Sequence, residues 1–467
     1  MRNVKYVLTP ITLYDRTGIC RMLESQARKG WLLEKIGAFT WKYRAVEPRP
    51  LRFAVTYSPN VSAYDPVETE RELDFREFCA QDGWIFAASS NQLQIFYSEK
   101  EDPVPLDTDP ELELDNIHRS MKKSMLPVYA LLLFNAAAQL AMQIVRLIRE
   151  PVAILSSNVS LCSLVMMALL FVIMIREIGA YYLWRHKAMR LAREEGEFLE
   201  TRGSAGTTLV ILSVMLMLFV AAMLSMKRSV AITGGIMFLG VIAMALLATL
   251  FTRWMKEQKI SAEDNRNYTI MAAVFLTFAL LIVSDRMTMR IPDGWGDEPA
   301  VNLAGEGVFS GQMPITLRDL GVEEGEDIFE LVDLESSILL DRAVYRQDLW
   351  RDGEEDLTLR YAVLQVKWRF LKDICLEDYL HMYEYEKMNE AFRNQFYAEF
   401  VHADPTPWGA DQAWQVLKQG ERMPEFLLVY GNRIVNFQCF RELTPEEMMQ
   451  VKNLLGNEQN FENNKNK

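Results

Sequence analysis

The sequence predicts two soluble α+β domains that flank an all-α transmembrane bundle of about five helices. Three observations carry this prediction. The middle of the 467-residue chain holds long apolar intervals without a charged residue. The first 110 residues repeat one order of elements, a helix followed by Gly-Trp and strands. The last third contains strand-like and helical stretches separated by turn signals.

The N-terminal region, residues 1–110, is predicted to be a duplicated α+β domain close to a ferredoxin-like arrangement. A helical pattern ends at Gly30-Trp31 and a second one ends at Gly83-Trp84, so the two units are 53 residues apart. A glycine after a helix suits a left-handed C-cap, and the tryptophan that follows can begin a buried strand. We therefore interpret both tryptophans as core residues rather than ligand contacts.

The same residues resemble a known bacterial family. The run Leu23 to Leu33, the later Arg52 to Tyr57, and Gly83-Trp84 followed by Ile95 to Glu99 look like the domain of unknown function 2812 family. The resemblance covers about the first 110 residues. It implies a domain placed ahead of several membrane helices, and it implies no activity and no catalytic residue.

Residues 111–284 are predicted to form the membrane region. A helix over Pro110 to Lys123 leads into it, and five uncharged apolar intervals follow. About 20 residues are needed to cross the hydrocarbon layer, which the first four intervals satisfy and the fifth barely reaches. The intervals are Ser124 to Val145, Pro151 to Ile175, Gly203 to Met226, Ser229 to Thr252, and Asn267 to Ser284.

The distribution of Lys and Arg predicts the orientation. The segments before the first span, after the second and after the fourth hold 13 basic residues, against 6 on the opposite side. Basic residues accumulate in cytoplasmic loops. We expect a multi-pass protein of the bacterial plasma membrane with a cytoplasmic N-terminus and an extracytoplasmic C-terminal domain. The segment after the second span should continue as a helix that places Tyr181, Tyr182 and Trp184 near the lipid headgroups.

The predicted spans contain only neutral polar residues. Asn135, Gln139 and Gln143 recur every four residues on one face of the first span, and Asn158 belongs to a polar cluster near the start of the second. Such amides favour packing against a neighbouring helix or a second copy of the chain, and the alternative is a substrate path. Coupled transporters usually keep ionisable residues at this depth, so coupled transport is disfavoured.

The C-terminal region, residues 285–456, is predicted to be an acidic α+β domain followed by a disordered tail over 457–467. Residues 285–467 hold 19 basic against 35 acidic residues, an excess that would repel nucleic acid. We predict a helix from Leu371 to Phe400, a hairpin across Gly431-Asn432, and a capping box at Thr444. Whether Cys375 and Cys439 form a disulfide stays open.

No motif for catalysis, metal or cofactor binding emerges from the sequence. The four histidines lie far apart, and no phosphate-binding glycine loop or nucleophile elbow is present. We expect no enzyme activity and no cofactor. The leading hypothesis is a sensory or signalling membrane protein whose N-terminal domain binds a cytosolic protein. The alternative is a transporter or an accessory subunit of a transport complex, and the remaining expected partners are the lipid bilayer and a second copy of the chain.

Overall fold

The fold is that of a computed structural model of the chain. The residues that it describes are 3–8, 14–37, 40–58, 61, 64–65, 70–90, 92–106, 109–201, 205–225, 228–288, 312–322, 328–349, 357–383 and 398–456. The predicted disordered tail, 457–467, lies outside the described residues, as does the whole connection from 289 to 311.

The chain divides into two compact units, and each is described by itself. The first unit combines Met1–Ala138, Met167–Met217 and Ile232–Pro292. The second unit combines Gln139–Met166, Leu218–Ala231 and Asp293–Lys467. Both units therefore contain parts of the apolar middle of the chain.

The first unit begins with two copies of a β-α-β-β arrangement, which confirms the predicted repeat. The strands and helices are β1 (Val4–Leu8), α1 (Arg16–Arg28), β2 (Trp31–Lys35), β3 (Thr40–Ala45), β4 (Arg52–Tyr57), α2 (Glu70–Gln81), β5 (Ile85–Ser90) and β6 (Leu93–Ser98). The strand orders are β1-β3-β2 and β4-β6-β5, all antiparallel. A β-bulge falls between Leu33 and Lys35 in the first copy and between Phe86 and Ala88 in the second, at equivalent positions.

The sheets differ from the predicted ferredoxin-like arrangement, because the six strands form two three-stranded sheets instead of one. Both sheets nevertheless contribute to one hydrophobic core, in which Tyr43 of β3 and Ile95 of β6 are fully buried beside Leu23 of α1. The prediction had no information on which strand pairs with which, since pairing depends on contacts between residues distant in sequence.

The two Gly-Trp units occupy the predicted helix ends. Gly30 and Gly83 have φ of +81° and +90°, a left-handed backbone that glycine adopts without a steric penalty. Trp31 is half-buried against the core, whereas Trp84 is buried and donates its indole N–H to the Val104 carbonyl at 2.8 Å. Both side chains thus contribute to packing.

Seven helices follow in the described part of the chain, and they include most residues of the five predicted apolar intervals. They are α3 (Pro110–Lys123), α4 (Met125–Arg149), α5 (Pro151–Leu155), α6 (Asn158–Glu195), α7 (Ala205–Leu224), α8 (Arg228–Glu257) and α9 (Ala262–Thr288). Within the described residues, Met125–Arg149, Asn158–Glu195 and Phe238–Glu257 are long and apolar enough to cross a membrane, and Leu209–Leu224 is a shorter apolar helix. The fifth interval lies in α9, where most side chains of the second half are outside the described residues.

The second predicted span starts later than its sequence indicates. The interval from Pro151 is interrupted at Ser156 and Ser157, so that α5 is a separate short helix and α6 begins at Asn158. Val152 and Leu155 of α5 are buried in a core built mainly by the C-terminal sheet. Apolar character alone cannot distinguish a residue buried in a protein core from one facing lipid.

The second unit contains one seven-stranded antiparallel sheet, in the order β10-β11-β12-β13-β9-β8-β7. Its elements are β7 (Ile328–Ser336), β8 (Leu340–Leu349), β9 (Leu357–Val366), α10 (Lys372–Leu380), β10 (Ala398–His402), β11 (Gln412–Lys418), β12 (Glu421–Tyr430), β13 (Arg433–Gln438) and α11 (Pro445–Val451). One core packs around Tyr361 and Phe437, and a second one packs around Leu364 and Leu427. Since these positions alternate along the strands, the two cores lie on opposite faces of the sheet.

Several predictions for this region are confirmed. The hairpin pairs Tyr430 with Arg433 across Gly431-Asn432, and the capping box joins Thr444 to Glu447. The predicted long helix from Leu371 is wrong, because α10 ends at Leu380 and Phe400 belongs to strand β10. Cys375 and Cys439 are both free thiols in different cores, so they do not pair.

Candidate functional site

Helix α5 is seated on the C-terminal sheet. Its Val152 and Leu155 are buried against Leu340, Leu364 and Leu427 of three strands. Burial of aliphatic side chains stabilises such a contact through the hydrophobic effect. The connection between α4 and α6 is therefore part of the core of the second unit.

A residue of α10 caps α5 at its N-terminus. The Val152 N–H donates to Asp378 Oδ2 at 3.1 Å, whereas Glu150, the residue that precedes the helix, makes no side-chain cap. Burial raises the pKa of the Asp378 carboxyl, the Val152 N–H lowers it, nearby Glu150 raises it, and Arg342 lowers it. Asp378 is thus a half-buried acid whose protonation state bears on the seating of α5.

The first residues of α6 bond to the turn between β7 and β8. Asn158 donates from Nδ2 to the Ser336 carbonyl at 3.1 Å, and its Oδ1 accepts from the Ile338 N–H at 3.2 Å. Ser156 donates to Glu335 Oε2 at 2.6 Å, and the buried Ser337 hydroxyl donates to the Leu155 carbonyl. The polar cluster noted in the sequence therefore holds the sheet rather than another helix.

The amides of α4 do not converge on one point. Gln143 donates from Nε2 to Ser163 Oγ of α6 at 3.1 Å, which joins the two helices. Asn135 and Gln139 are exposed on α4. The four predicted residues thus divide into a contact with the sheet at Asn158, a contact between helices at Gln143, and two exposed amides.

The later part of α6 enters the core of the N-terminal domain. Tyr181 has 1% of its surface exposed and lies in the cluster that contains Leu23 and Ile117. Its hydroxyl lies 2.8 Å from His118 Nδ1, and its ring packs edge-on against Tyr14 with centroids 5.2 Å apart. The N-terminal domain therefore buries the Tyr181 ring, and the position of this residue relative to the lipid headgroups stays a prediction.

The segment after α6 is also fastened to the N-terminal domain. The Thr201 hydroxyl donates to Asp15 Oδ1, and both residues are buried. Arg16 forms an ion pair with the buried Glu113 of α3, and its guanidinium lies 5.0 Å from the Phe198 ring. Buried charges are tolerated when they are paired in this way. Helix α3, the later part of α6 and the segment 198–201 therefore belong to one packed assembly with α1.

A cleft of about 340 Å³ lies between the two copies of the repeat. Leu33 and Arg44 line it from the first copy, and Phe86 and Tyr97 line it from the second. The lining also includes Glu34, so apolar side chains are mixed with one exposed acid and one exposed base. Such a mixed lining is suited to binding a peptide or a small polar ligand. Within the described residues, no group of three His, Cys, Asp or Glu side chains is placed to hold a metal ion.

Asp378 is a functional candidate that the sequence did not indicate, and Tyr181 is one whose burial in the N-terminal core the sequence did not indicate. Asp378 lies 226 positions from the residue that it caps, so no local pattern could reveal it. A local signal did exist for α5, since Pro151 followed by Ser156 and Ser157 suggests a short helix and then a break.

Comparison with known proteins gives one match. Residues 18–129 match the family model described as Protein of unknown function (DUF2812). The match begins inside α1 and ends inside α4, so it includes α3 and its packing residues Glu113 and Ile117. No curated protein and no solved structure is significantly similar to the chain.

Proposed function

We propose, for a chain whose N-terminal domain belongs to the DUF2812 family, a regulatory or sensory role in which the C-terminal domain acts on the N-terminal domain through α6. The observation that carries the proposal is that α6 contacts both the C-terminal sheet and the N-terminal core. Asn158, its first residue, bonds to the C-terminal sheet, and Tyr181, farther along, is buried in the N-terminal core. A single helix with both contacts is a mechanical route for a conformational change.

In this proposal the N-terminal domain is cytoplasmic and the C-terminal domain is extracytoplasmic. The excess of Lys and Arg in the segments assigned to the cytoplasm supports this orientation. The acidic domain would then receive the signal outside the cell, and the DUF2812 domain would pass it to a cytosolic protein.

The cleft between the two copies of the repeat is the site we assign to that protein. Arg44 in its lining is exposed, and Glu34 in the same lining is paired with Lys42, so Arg44 is the charged group that an acidic peptide would recognise. Replacing Arg44 by Glu should abolish crosslinking of a specific cytosolic protein to the full-length chain in cells. Arg28→Glu, an exposed change in α1 away from the cleft lining, should leave that crosslink intact.

The transporter alternative would need the amide face of α4 to line a path. The bond between Gln143 and Ser163 supports helix packing instead, and the exposed Asn135 and Gln139 support a contact with a second copy of the chain. We therefore extend the proposal to a homo-oligomer joined through α4.

Hydrogen exchange of the full-length protein in vesicles tests the coupling. Asn158→Ala removes two hydrogen bonds to the C-terminal sheet, and we expect faster exchange in α3 and in residues 176–201 as well as in the turn between β7 and β8. Gln258→Ala is the matched control, because it removes an exposed amide outside α4 and α6. Faster exchange confined to the C-terminal sheet would contradict coupling through α6.

A further inference from the structure

Three large apolar side chains lie exposed together on the C-terminal domain. Ile338 in the turn between β7 and β8 is 62% exposed, and Trp368 and Phe370 after β9 are 53% and 70% exposed. The Trp368 indole donates to the Ile338 carbonyl at 3.1 Å, and the Trp368 and Phe370 ring centroids are 6.4 Å apart. We call Ile338, Trp368 and Phe370 the aromatic patch.

The aromatic patch adjoins the residue at which a membrane-spanning helix begins. The Ile338 N–H donates to Asn158 Oδ1, and Asn158 is the first residue of α6. The neighbouring Ser337 donates to the Leu155 carbonyl just before that helix. Helix α6 is long and apolar enough to cross a membrane. An α6 that enters the hydrocarbon layer near its first turn would place the residues bonded to that turn at the level of the lipid headgroups.

The chain segment that carries Trp368 and Phe370 is basic, although its domain is acidic. The segment Lys367 to Lys372 carries three basic residues and no acidic one, within a region of 19 basic and 35 acidic residues. Lys367 is engaged in the protein, since its Nζ lies 2.8 Å from Asp341 Oδ1 and donates to the Ser337 carbonyl at 2.6 Å. The cations that remain for a ligand are Arg369, which is exposed, and Lys372, which is half-buried.

We propose that the aromatic patch, together with Arg369 and Lys372, is a membrane-interface anchor that binds anionic phospholipid headgroups. Trp368, Phe370 and Ile338 enter the boundary between headgroups and acyl chains, where Trp and other aromatic residues are enriched. Arg369 and Lys372 bind the lipid phosphates, which are charge-complementary to them. The anchor fixes the C-terminal domain to the outer surface of the bilayer beside α6.

Fluorescence quenching by brominated lipid tests the anchor in the full-length chain. The protein is reconstituted in phosphatidylcholine vesicles, with and without phosphatidylglycerol, in which the acyl chains are brominated near the glycerol end. The contribution of Trp368 is the difference between the unmodified protein and Trp368→Phe. Trp408→Phe gives the matched control, because Trp408 is buried in the core of the same domain.

We expect bromination to quench the Trp368 contribution and to leave the Trp408 contribution unchanged. The quenching should increase when phosphatidylglycerol is present, and the double substitution Arg369→Gln and Lys372→Gln should remove that increase. Quenching that is equal for Trp368 and Trp408 would overturn the anchor. Quenching that is independent of phosphatidylglycerol would overturn the recognition of anionic headgroups.

A second substitution distinguishes the membrane from a protein partner. Phe370→Glu places a charge in the exposed part of the aromatic patch, and we expect it to abolish quenching of Trp368 while the thermal unfolding of the C-terminal domain stays unchanged. If Trp368 is shielded from aqueous acrylamide but not quenched by brominated lipid, the patch is covered by another copy or another protein, and the lipid assignment is wrong.

Discussion

Asp378 in α10 accepts a hydrogen bond at 3.1 Å from the backbone N–H of Val152, a residue 226 positions earlier in the chain. This contact replaces the local cap that α5 lacks, and it joins the connection between α4 and α6 to the C-terminal sheet. We expect Asp378→Ala to lower the free energy of unfolding of the C-terminal domain by about 1 kcal/mol, the usual effect of removing a helix cap.

Thermal unfolding of the reconstituted protein measures that loss. Asp373→Ala is the matched control, because Asp373 lies on the exposed side of the same helix. Equal unfolding temperatures for the two variants would show that the Val152 contact contributes nothing.

The pH dependence of the same contact has a defined sign. Burial raises the pKa of Asp378 above its ordinary value of 3.8, so the folded protein binds the proton more tightly than the unfolded chain does. The ionised carboxylate therefore costs stability, and this cost appears as the pH rises from the ordinary pKa through the raised one. Below the ordinary pKa the cost is absent.

Comparison with Asp378→Asn isolates this effect. We expect the unfolding temperature of the unmodified protein, relative to that of Asp378→Asn, to fall as the pH rises through that window and then to stay level. A relative unfolding temperature that rises with pH would indicate a lowered pKa and would contradict the effect of burial.

Tyr181 connects α6 to the N-terminal core through both its ring and its hydroxyl. Tyr181→Phe removes only the bond to His118 and should cost about 1 kcal/mol. Tyr181→Ala also removes a buried ring and should cost about 3 to 5 kcal/mol. Tyr182→Phe, at a half-exposed neighbour, should have little effect in the same thermal unfolding measurement.

The two glycines of the repeat should differ in their tolerance to alanine. A Cβ at Gly30 would lie 2.9 Å from the Val46 carbonyl oxygen, a backbone atom, whereas at Gly83 it would meet the flexible end of Lys100. Both positions carry a left-handed strain of about 1 to 2 kcal/mol for a residue with a side chain. We therefore expect Gly30→Ala to be the more destabilising change.

Gly196→Ala supplies the reference for strain alone, because Gly196 also has positive φ but its Cβ would meet no atom within 4 Å. Unfolding temperatures should decrease in the order Gly196→Ala, Gly83→Ala, Gly30→Ala. Equal effects at Gly30 and Gly196 would mean that the chain around Val46 relaxes without cost.

The sequence was a good guide where structure is decided by neighbouring residues. Gly30-Trp31 and Gly83-Trp84 marked both helix ends, and the Gly-Asn turn at Gly431-Asn432 marked a hairpin, because helix caps and turns depend on a few adjacent residues.

Contacts between residues distant in sequence explain where the structure differs from the sequence-based predictions. Pro151 to Leu155 are apolar because the C-terminal sheet buries them, and Phe400 is in a strand because β11 pairs with it. Tyr181 follows the apolar part of α6, and the N-terminal core buries it. The hydrophobicity of a side chain predicts that it is removed from water, and it does not predict whether a protein core or lipid surrounds it.

The separation of Val152 from Asp378 in the sequence also sets a delay during biosynthesis, between the synthesis of α5 and that of its cap. At typical translation rates, 226 residues take roughly 10 to 45 s to synthesise. Helix α5 is therefore synthesised at least that long before Asp378, the residue that caps it. Throughout this interval the apolar side chains of α5 on the nascent chain lack the strands that bury them in the folded protein. A protein truncated before β8 would leave these side chains exposed permanently. We expect cellular quality control to degrade such a product.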